Sequence, residues 1–251
     1  METTMEPAIL YDHIDQTGVE TLFGATPVQL PKLDAETLQS RVRIEDDLVQ
    51  SEAALAQTWQ TLTDPESVVR IHRHGLETSE AALWVFVRSD QLVQLSSDLQ
   101  PSKELRLSSL ADSAALANEI GRLLAMPAMP AEAYARAVLD RSDAEDVFDL
   151  SQGSGFVVGA ELLVSDGLTE EDARVAFDTI RSASTAGRIS FLAVRKDAVD
   201  LTCGIAIGKA GDDVWMVSAE PARSKQLVLE TVMTGAFHHK LVDGWRSLGM
   251  G

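Results

Sequence analysis

Two histidines separated by one residue, His72 and His74, are the best candidates for metal chemistry in the sequence. On a β-strand both would point to the same face, a spacing that lets two imidazoles reach one ion. Arg70 and Arg73 crowd them, however, and no nearby cysteine or carboxylate completes a ligand set. We therefore favour a solvated polar strand face over a metal site, and we expect no metal ion or other cofactor.

Three glycines in the segment SQGSGFVVG, at Gly153, Gly155 and Gly159, resemble a phosphate-binding loop. Their spacing is not G-x-G-x-x-G and no Walker lysine follows, so we interpret residues 151–159 as a linker or tight turn. Ser154 is not part of a G-x-S-x-G nucleophile elbow. Because no nucleophile, base or metal cluster emerges, we expect a protein that is not an enzyme. A catalytic site assembled from scattered carboxylates is the alternative.

The charge balance restricts the class of partner. Among 251 residues, 39 are acidic and 21 are basic, which gives a formal net charge of -18. Such a charge repels nucleic acid and anionic lipid headgroups, so we expect neither as a partner. The same charge opposes self-association while leaving a local apolar surface available for binding.

The cellular compartment follows from cysteine usage and hydropathy. Cys203 is the only cysteine, so no intramolecular disulfide can form and a reducing cytoplasm is the expected location. Cys203 lies in the apolar segment TCGIAI, which indicates a core residue rather than a reactive thiol. No window approaches about 18 consecutive apolar residues and no signal peptide is evident, so we expect no membrane insertion.

The first half of the chain predicts one helix, three or four strands and a second helix. An edge strand or covering arm is predicted for residues 7–31, and a long helix from Asp34 to Leu62. Alternating strands follow in SVVRIHRH, AALWVFVR and QLVQLSS, with Ser89-Asp90 as a tight turn and KELRL as a less certain strand. A helix capped by Ser109 or Asp112 ends the half.

The second half repeats this order. After a link at residues 126–130 and a short helix at 131–139, a capping box at Thr169 and Asp172 starts a helix. Strands are predicted in GRISFLAVR, DLTCGIAIG and DDVWMVS, followed by a helix from Pro221 to Val242. The pattern predicts an α+β protein in which two pseudo-symmetric α-β-β-β-α halves, 1–130 and 131–251, surround an antiparallel sheet flanked by helices.

Apolar side chains of the second half are the candidates for a partner-binding surface. They lie on a predicted strand and on the predicted last helix: Trp215, Val217, Val228, Val232 and Met233. Tryptophan often anchors interfaces and methionine adapts to irregular partner surfaces. Packing of these residues within the core of the monomer is the alternative.

The order of these landmarks resembles the EspG family, the cytosolic chaperones of actinobacterial type VII secretion. The resemblance rests on FGATPVQL before a long acidic helix, on TLTDPESVVRIHRHG, VFVRSDQLVQL and ELRLSSLADSAALANEIGRLL, and on GLTEEDARVAFDTIRSASTAGRISFLAVR and DDVWMVSAEPARSKQLVLETV. It covers most of the chain. It consists of a similar hydrophobic pattern and similar positions of turns and helix ends rather than of sequence identity. The second half lacks part of the hairpin region usual in that family, and the tail after Phe237 matches nothing in it.

The resemblance implies two quasi-symmetric subdomains around a central antiparallel sheet, with helical bundles at the sides. It also implies binding of the hydrophobic tip of a helical PE-PPE-type secretion substrate. A strongly negative body with one apolar platform suits such a role, because a partner helix can be buried in a groove. The alternative from a different class is a homo-oligomeric scaffold or regulatory module, for example a homodimer, whose apolar faces pair with themselves.

Overall fold

The computed structural model describes residues 42–44, 52–75, 81–97, 105–123, 135–140, 142–143, 146, 156–182, 185–195, 198–210, 213–219, 226–231 and 234–249. Within these residues the strands are β1 (Val42–Ile44), β2 (Ser67–Gly75), β3 (Ala81–Arg88), β4 (Gln91–Ser97), β5 (Leu105–Leu110), β6 (Arg136–Leu139), β7 (Thr185–Arg195), β8 (Ala198–Ala210), β9 (Asp213–Ala219) and β10 (Leu227–Thr231). The helices are α1 (Glu52–Thr63), α2 (Ser113–Leu123), α3 (Phe156–Ser165), α4 (Glu170–Ser182) and α5 (Thr234–Ser247).

All ten strands belong to one sheet, in the order β1-β5-β4-β3-β2-β7-β8-β9-β10-β6. Nine strands run antiparallel to their neighbours, and β1 joins the edge parallel to β5. Strands β2 and β7 pair at the centre, with Ile71 opposite Ile189 and Val69 opposite Phe191. From the centre outward, each side has four strands that are consecutive in the chain and then an edge strand: β2, β3, β4, β5 and then β1 on one side, and β7, β8, β9, β10 and then β6 on the other. The α+β class and the two pseudo-symmetric halves are therefore confirmed.

One face of the sheet, the α2/α5 face, is covered by helices α2 and α5. Alternate strand residues supply its core, because successive side chains of a strand point to opposite faces. Its buried strand residues include Val69, Ile71, Leu83, Val85, Ile189, Phe191, Cys203, Ile205 and Met216. Leu116 and Ile120 of α2, and Phe237 and Leu241 of α5, cover these residues. The prediction that Cys203 is a core residue is confirmed.

The opposite face, the α1/α3/α4 face, carries two separate apolar clusters. In the first half, Leu62 of α1 packs with Val68, Phe86 and other residues of the sheet. In the second half, α3 and α4 cover the sheet with Leu163 and Phe177. The two helical layers therefore flank the centre of the sheet on this face.

Several local signals in the sequence have their expected structure. The side chain of Asp112 accepts a hydrogen bond from the amide of Ala115 at 2.8 Å, which makes Asp112 the N-cap of α2. The amide of Asp172 donates to Thr169 Oγ1 at 3.1 Å, as the capping box predicts. Ser89, with a φ of 51°, lies in the two-residue turn between β3 and β4.

Four predicted elements are wrong. Residues 42–44 form a strand inside the long helix predicted from Asp34 to Leu62, of which only α1 is helical among the described residues. The predicted short helix at 131–139 contains strand β6. Helix α3 begins inside the segment interpreted as a turn at 151–159, and residues 227–231 of the predicted last helix form strand β10. The second half therefore contributes four consecutive strands, β7 to β10, rather than three, and the less certain strand predicted in the first half is β5.

Three predictions concern residues outside those that the structure describes. They are the covering arm at 7–31, the link at 126–130 and the start of the last helix at Pro221. In the described part of the chain, no helix is long and apolar enough to cross a membrane.

Candidate partner-binding surface

Of the five contact residues predicted in the second half, the three that the structure describes lie on two different faces of the sheet. Trp215 and Val217 lie on the α1/α3/α4 face, where α3 and α4 leave only 3% and 4% of them exposed. Val228 lies on β10, which runs between β9 and β6, and it pairs with Ser218 of β9. It points to the α2/α5 face of the sheet, where it is half-buried. Val232 and Met233 lie outside the described residues. Trp215 and Val217 are therefore core residues, in agreement with the alternative interpretation, because side chains of α3 and α4 cover them.

The exposed large apolar side chains of the described residues lie instead on the α3–α4 hairpin. Val158 is 53% exposed, Val164 is 37% exposed, and Val175 on α4 is 38% exposed. The sequence FVVGAELLVS is apolar on more than one side, so α3 retains apolar groups after it has covered the sheet. Helix α3 begins within residues 151–159, which were predicted to form a linker or turn. The mostly apolar segment from Phe156 to Val164 is the feature of the sequence that indicates a helix here.

Close packing fixes the two helices of this hairpin against each other. A Cβ atom built on Gly159 would lie 2.1 Å from the ring of Phe177, so only glycine lets α3 approach α4 this closely. Ala173, Ala176 and Phe177 of α4 are fully buried in the same cluster as Leu163. The hairpin therefore presents its valines on a rigid support.

The connection between α3 and α4 uses only a few residues. Gly167, with a φ of 108°, ends α3 in a Schellman motif, in which the amide of Leu168 donates to the carbonyl of Leu163 and that of Gly167 to the carbonyl of Val164. The capping box at Thr169 then starts α4. The Schellman motif and the capping box therefore fix the end of α3 and the start of α4 through hydrogen bonds within the chain.

Acidic groups surround the end of α3. Burial raises the pKa of Asp166, and the negative charges of Asp143 and Asp140 raise it further. Hydrogen bonds lower the pKa of Asp140 instead, first from the amide of Asp143 at 3.1 Å and then from the hydroxyl of Ser142 at 2.8 Å. Val164, two residues before Asp166, is therefore the exposed valine of the hairpin closest in sequence to this concentration of negative charge.

A second feature lies at the centre of the α1/α3/α4 face, and we name it the central strip. Trp84, Arg70, Ser190 and Gly204 stand side by side on β3, β2, β7 and β8. Helix α1 packs mainly on β3 and β4, and α4 mainly on β8 and β9, so the strip runs between the two helical layers. It brings a guanidinium and an indole together in a strongly acidic chain.

The candidate metal spacing of the first half, His72 and His74, lies within strand β2. In register, His72 pairs with Ala82 and Arg188, and His74 with Ala186. Among the residues that the structure describes, no three His, Cys, Asp or Glu side chains are grouped so as to hold a metal ion.

No family model matches the sequence, and no curated protein matches it. Solved structures do match, and they show an α+β fold shared with a protein-binding secretion chaperone. The chain is similar to EspG5 of Mycobacterium tuberculosis, a type VII secretion system chaperone whose structure contains a PE25-PPE41 dimer. The two chains are 13% identical, with a TM-score of 0.63 over 89% of this chain and 90% of that chain. The similarity shows that the fold is EspG-like across nearly the whole of both chains.

Proposed function

We propose that this protein is a non-enzymatic cytoplasmic chaperone or adaptor that binds a helical secretion substrate of the PE-PPE kind and shields its hydrophobic tip. The observation that carries the proposal is the fold shared with EspG5 over about nine tenths of each chain, together with the PE25-PPE41 dimer bound in that structure. The halves 1–130 and 131–251 would act as one compact duplicated unit.

The α3–α4 hairpin is the part of the described surface that suits such a partner best. Its three exposed valines supply apolar area, and a helical tip buries apolar side chains when it docks. The negative charge of the chain would keep the free protein soluble while this area is uncovered.

Co-expression with PE-PPE-type heterodimers from neighbouring genes tests the function. We expect one heterodimer to co-purify with the wild-type chain and to bind it in isothermal titration. If no heterodimer co-purifies and titration shows no heat of binding, the proposed function is wrong. A stable dimer of this chain that binds no apolar dye would favour the homo-oligomeric scaffold.

Substitution of the exposed valines tests the surface. We expect V158D and V175D to weaken heterodimer binding at least tenfold, because a buried unpaired carboxylate is costly in an apolar interface. A114D is the matched control, since Ala114 is exposed on α2, on the other side of the sheet. Equal binding by V158D, V175D and A114D would exclude the hairpin as the contact.

A further inference from the structure

The exposed side of helix α3 carries a carboxylate between two valines. Val158, Glu161 and Val164 are all exposed and follow one another at intervals of three residues. Three residues of an α-helix rise about 4.5 Å and return to within about 60° of the same side, so Glu161 lies between the two valines. Helix α3 contains no lysine, arginine or histidine. We name these three residues the α3 stripe, which is apolar, acidic and apolar along about 9 Å of the helix.

The exposed valine of α4 has acidic neighbours as well. Val175 is exposed, and the exposed residues Glu171 and Asp178 lie one helical turn from it, four residues before and three residues after. The hairpin as a whole carries the carboxylates Glu161, Asp166, Glu170, Glu171, Asp172 and Asp178 and the arginines Arg174 and Arg181. Arg174 lies 3.9 Å from Glu170 across one turn of α4. Each exposed valine of the hairpin therefore has a carboxylate one turn away on its own helix.

A partner that covers the α3 stripe must also cover Glu161. Its carboxylate is one turn from each valine, so a helix that buries both valines displaces water from the carboxylate as well. A buried carboxylate without a hydrogen-bonded cation costs more free energy than the burial of a valine contributes. A wholly apolar tip would therefore bind poorly here, whereas a tip with one cation opposite Glu161 can use all three side chains.

We propose that the hairpin selects a helical partner with a Lys or Arg side chain among the apolar side chains of its tip, and that Glu161 receives this cation. Charge complementarity favours this occupant, because the carboxylates of the hairpin outnumber its arginines. The long apolar stem of a lysine or arginine can lie along a valine while its charged end reaches the carboxylate. A second copy of this chain, docked hairpin to hairpin, would bring carboxylates against carboxylates. The inference rests on the proposed function and adds a charge that discriminates between tips of similar hydrophobicity.

Titration with the PE-PPE-type heterodimer captured by the wild-type chain tests the role of Glu161. We expect E161Q and E161L to bind at least tenfold more weakly, because each leaves the cation of the partner unpaired. D90N is the matched control, since Asp90 is an exposed carboxylate in the turn between β3 and β4 and its loss changes the net charge equally. A purely apolar tip would instead bind E161L more tightly than the wild type. Equal or tighter binding by E161L would overturn the inference and leave the proposed function intact.

The salt dependence of wild-type binding tests the sign of the charge on the partner. We expect the affinity to fall between about 50 and 300 mM salt, because screening weakens the attraction between Glu161 and the cation. The fall should be smaller for E161Q, which has lost this attraction. An affinity that rises with salt would mean that the hairpin and the tip repel each other, and the inference would be wrong.

Substitutions in the partner identify the matching cation. Each Lys and Arg near the partner's tip is replaced by alanine, and we expect one replacement to weaken binding to the wild-type chain but not to E161Q. Replacement of the same residue by glutamate should abolish binding to the wild type and restore part of it with E161K. If no replacement behaves in this way, the inference fails while the function stands, whereas a wild-type chain that captures no heterodimer defeats the function and this inference with it.

Light scattering of the free chain tests the remaining occupant, a second copy. We expect the wild-type chain to be a monomer, because the acidic hairpins repel each other. A wild-type dimer that V158D dissociates would place the hairpin against itself and would overturn the proposal.

Discussion

The two halves of the sheet match in their strands and differ in the layers that cover them. In the first half, α1 packs on the sheet partly through polar groups: Thr58 and Thr61 are buried, and Thr61 Oγ1 donates to Gln91 Oε1 at 2.7 Å. In the second half, α3 and α4 pack through leucine, alanine and phenylalanine. The succession of strands is the same in both halves, whereas the covering helices differ.

The difference indicates where each half can change without loss of the fold. A ten-stranded sheet ties every strand to its neighbours, so a change of register would expose its buried residues. The covering helices contact the sheet on one side only. The exposed valines of the second half lie on the outer sides of these helices, which is why we place partner binding there.

Truncation of the central side chain in each covering layer is the strongest test of this comparison. Phe177 fills the second-half cluster and Leu62 the first-half cluster. We expect F177A to reduce the free energy of unfolding by about 3–5 kcal/mol and L62A by about 2–5 kcal/mol, nearer the lower limit. Urea unfolding measures both. If L62A costs more than F177A, the apolar hairpin is not the tighter layer and the contrast between the halves fails.

The close contact between α3 and α4 provides the next test. In G159A the new methyl group meets the Phe177 ring, and we expect a loss of about 1–3 kcal/mol from overpacking. G121A in α2 is the matched control, because nothing lies within 4 Å of a Cβ at that position. We expect this control to gain roughly 0.5–1 kcal/mol from helix propensity. Equal thermal midpoints for the two variants would show that the helices can separate freely.

Strand alternation in the sequence was sufficient to predict the inner strands β2, β3 and β4, and β7, β8 and β9. Each has one or two apolar faces and a nearby partner, so local pattern and pairing agree. Strand β10 was predicted to be helical because its residues LVLE are buried or half-buried on both faces. Such a strand does not show the alternation of apolar and polar residues that identifies a half-exposed strand. Among the described strands, β6 pairs only with β10, about 90 residues later, and a short segment carries no sign of such a partner.

The candidate surface was less predictable than the fold. The strand residues Trp215 and Val217 were predicted correctly as alternating apolar positions, but the helices that cover them could not be inferred from β9 itself. Conversely, Arg70 was weighed only as a neighbour of the two histidines. Its stacking on Trp84 depends on the β2–β3 register, which places the two residues opposite each other.

The acidic end of α3 permits a test by pH. Asp166 has a raised pKa in the folded chain, so its ionised form opposes folding and stability rises as pH falls through that pKa. We expect D166N to stabilise the protein at pH 7 by less than about 1 kcal/mol, since the group is only partly buried. The gain should shrink as the pH is lowered from 7 and the wild-type carboxyl takes up its proton. Thermal midpoints across this range measure it, and a gain that grows on acidification would contradict the assignment.

The turn between β3 and β4 provides the smallest test. It is formed by Ser89 and Asp90, and Ser89 has a φ of 51°. A left-handed backbone strains any residue with a Cβ, and glycine removes that strain. We expect S89G to raise the free energy of unfolding by about 0.5–1 kcal/mol, as measured by urea unfolding. An unchanged or lower free energy of unfolding in S89G would show that Ser89 bears no strain in this turn.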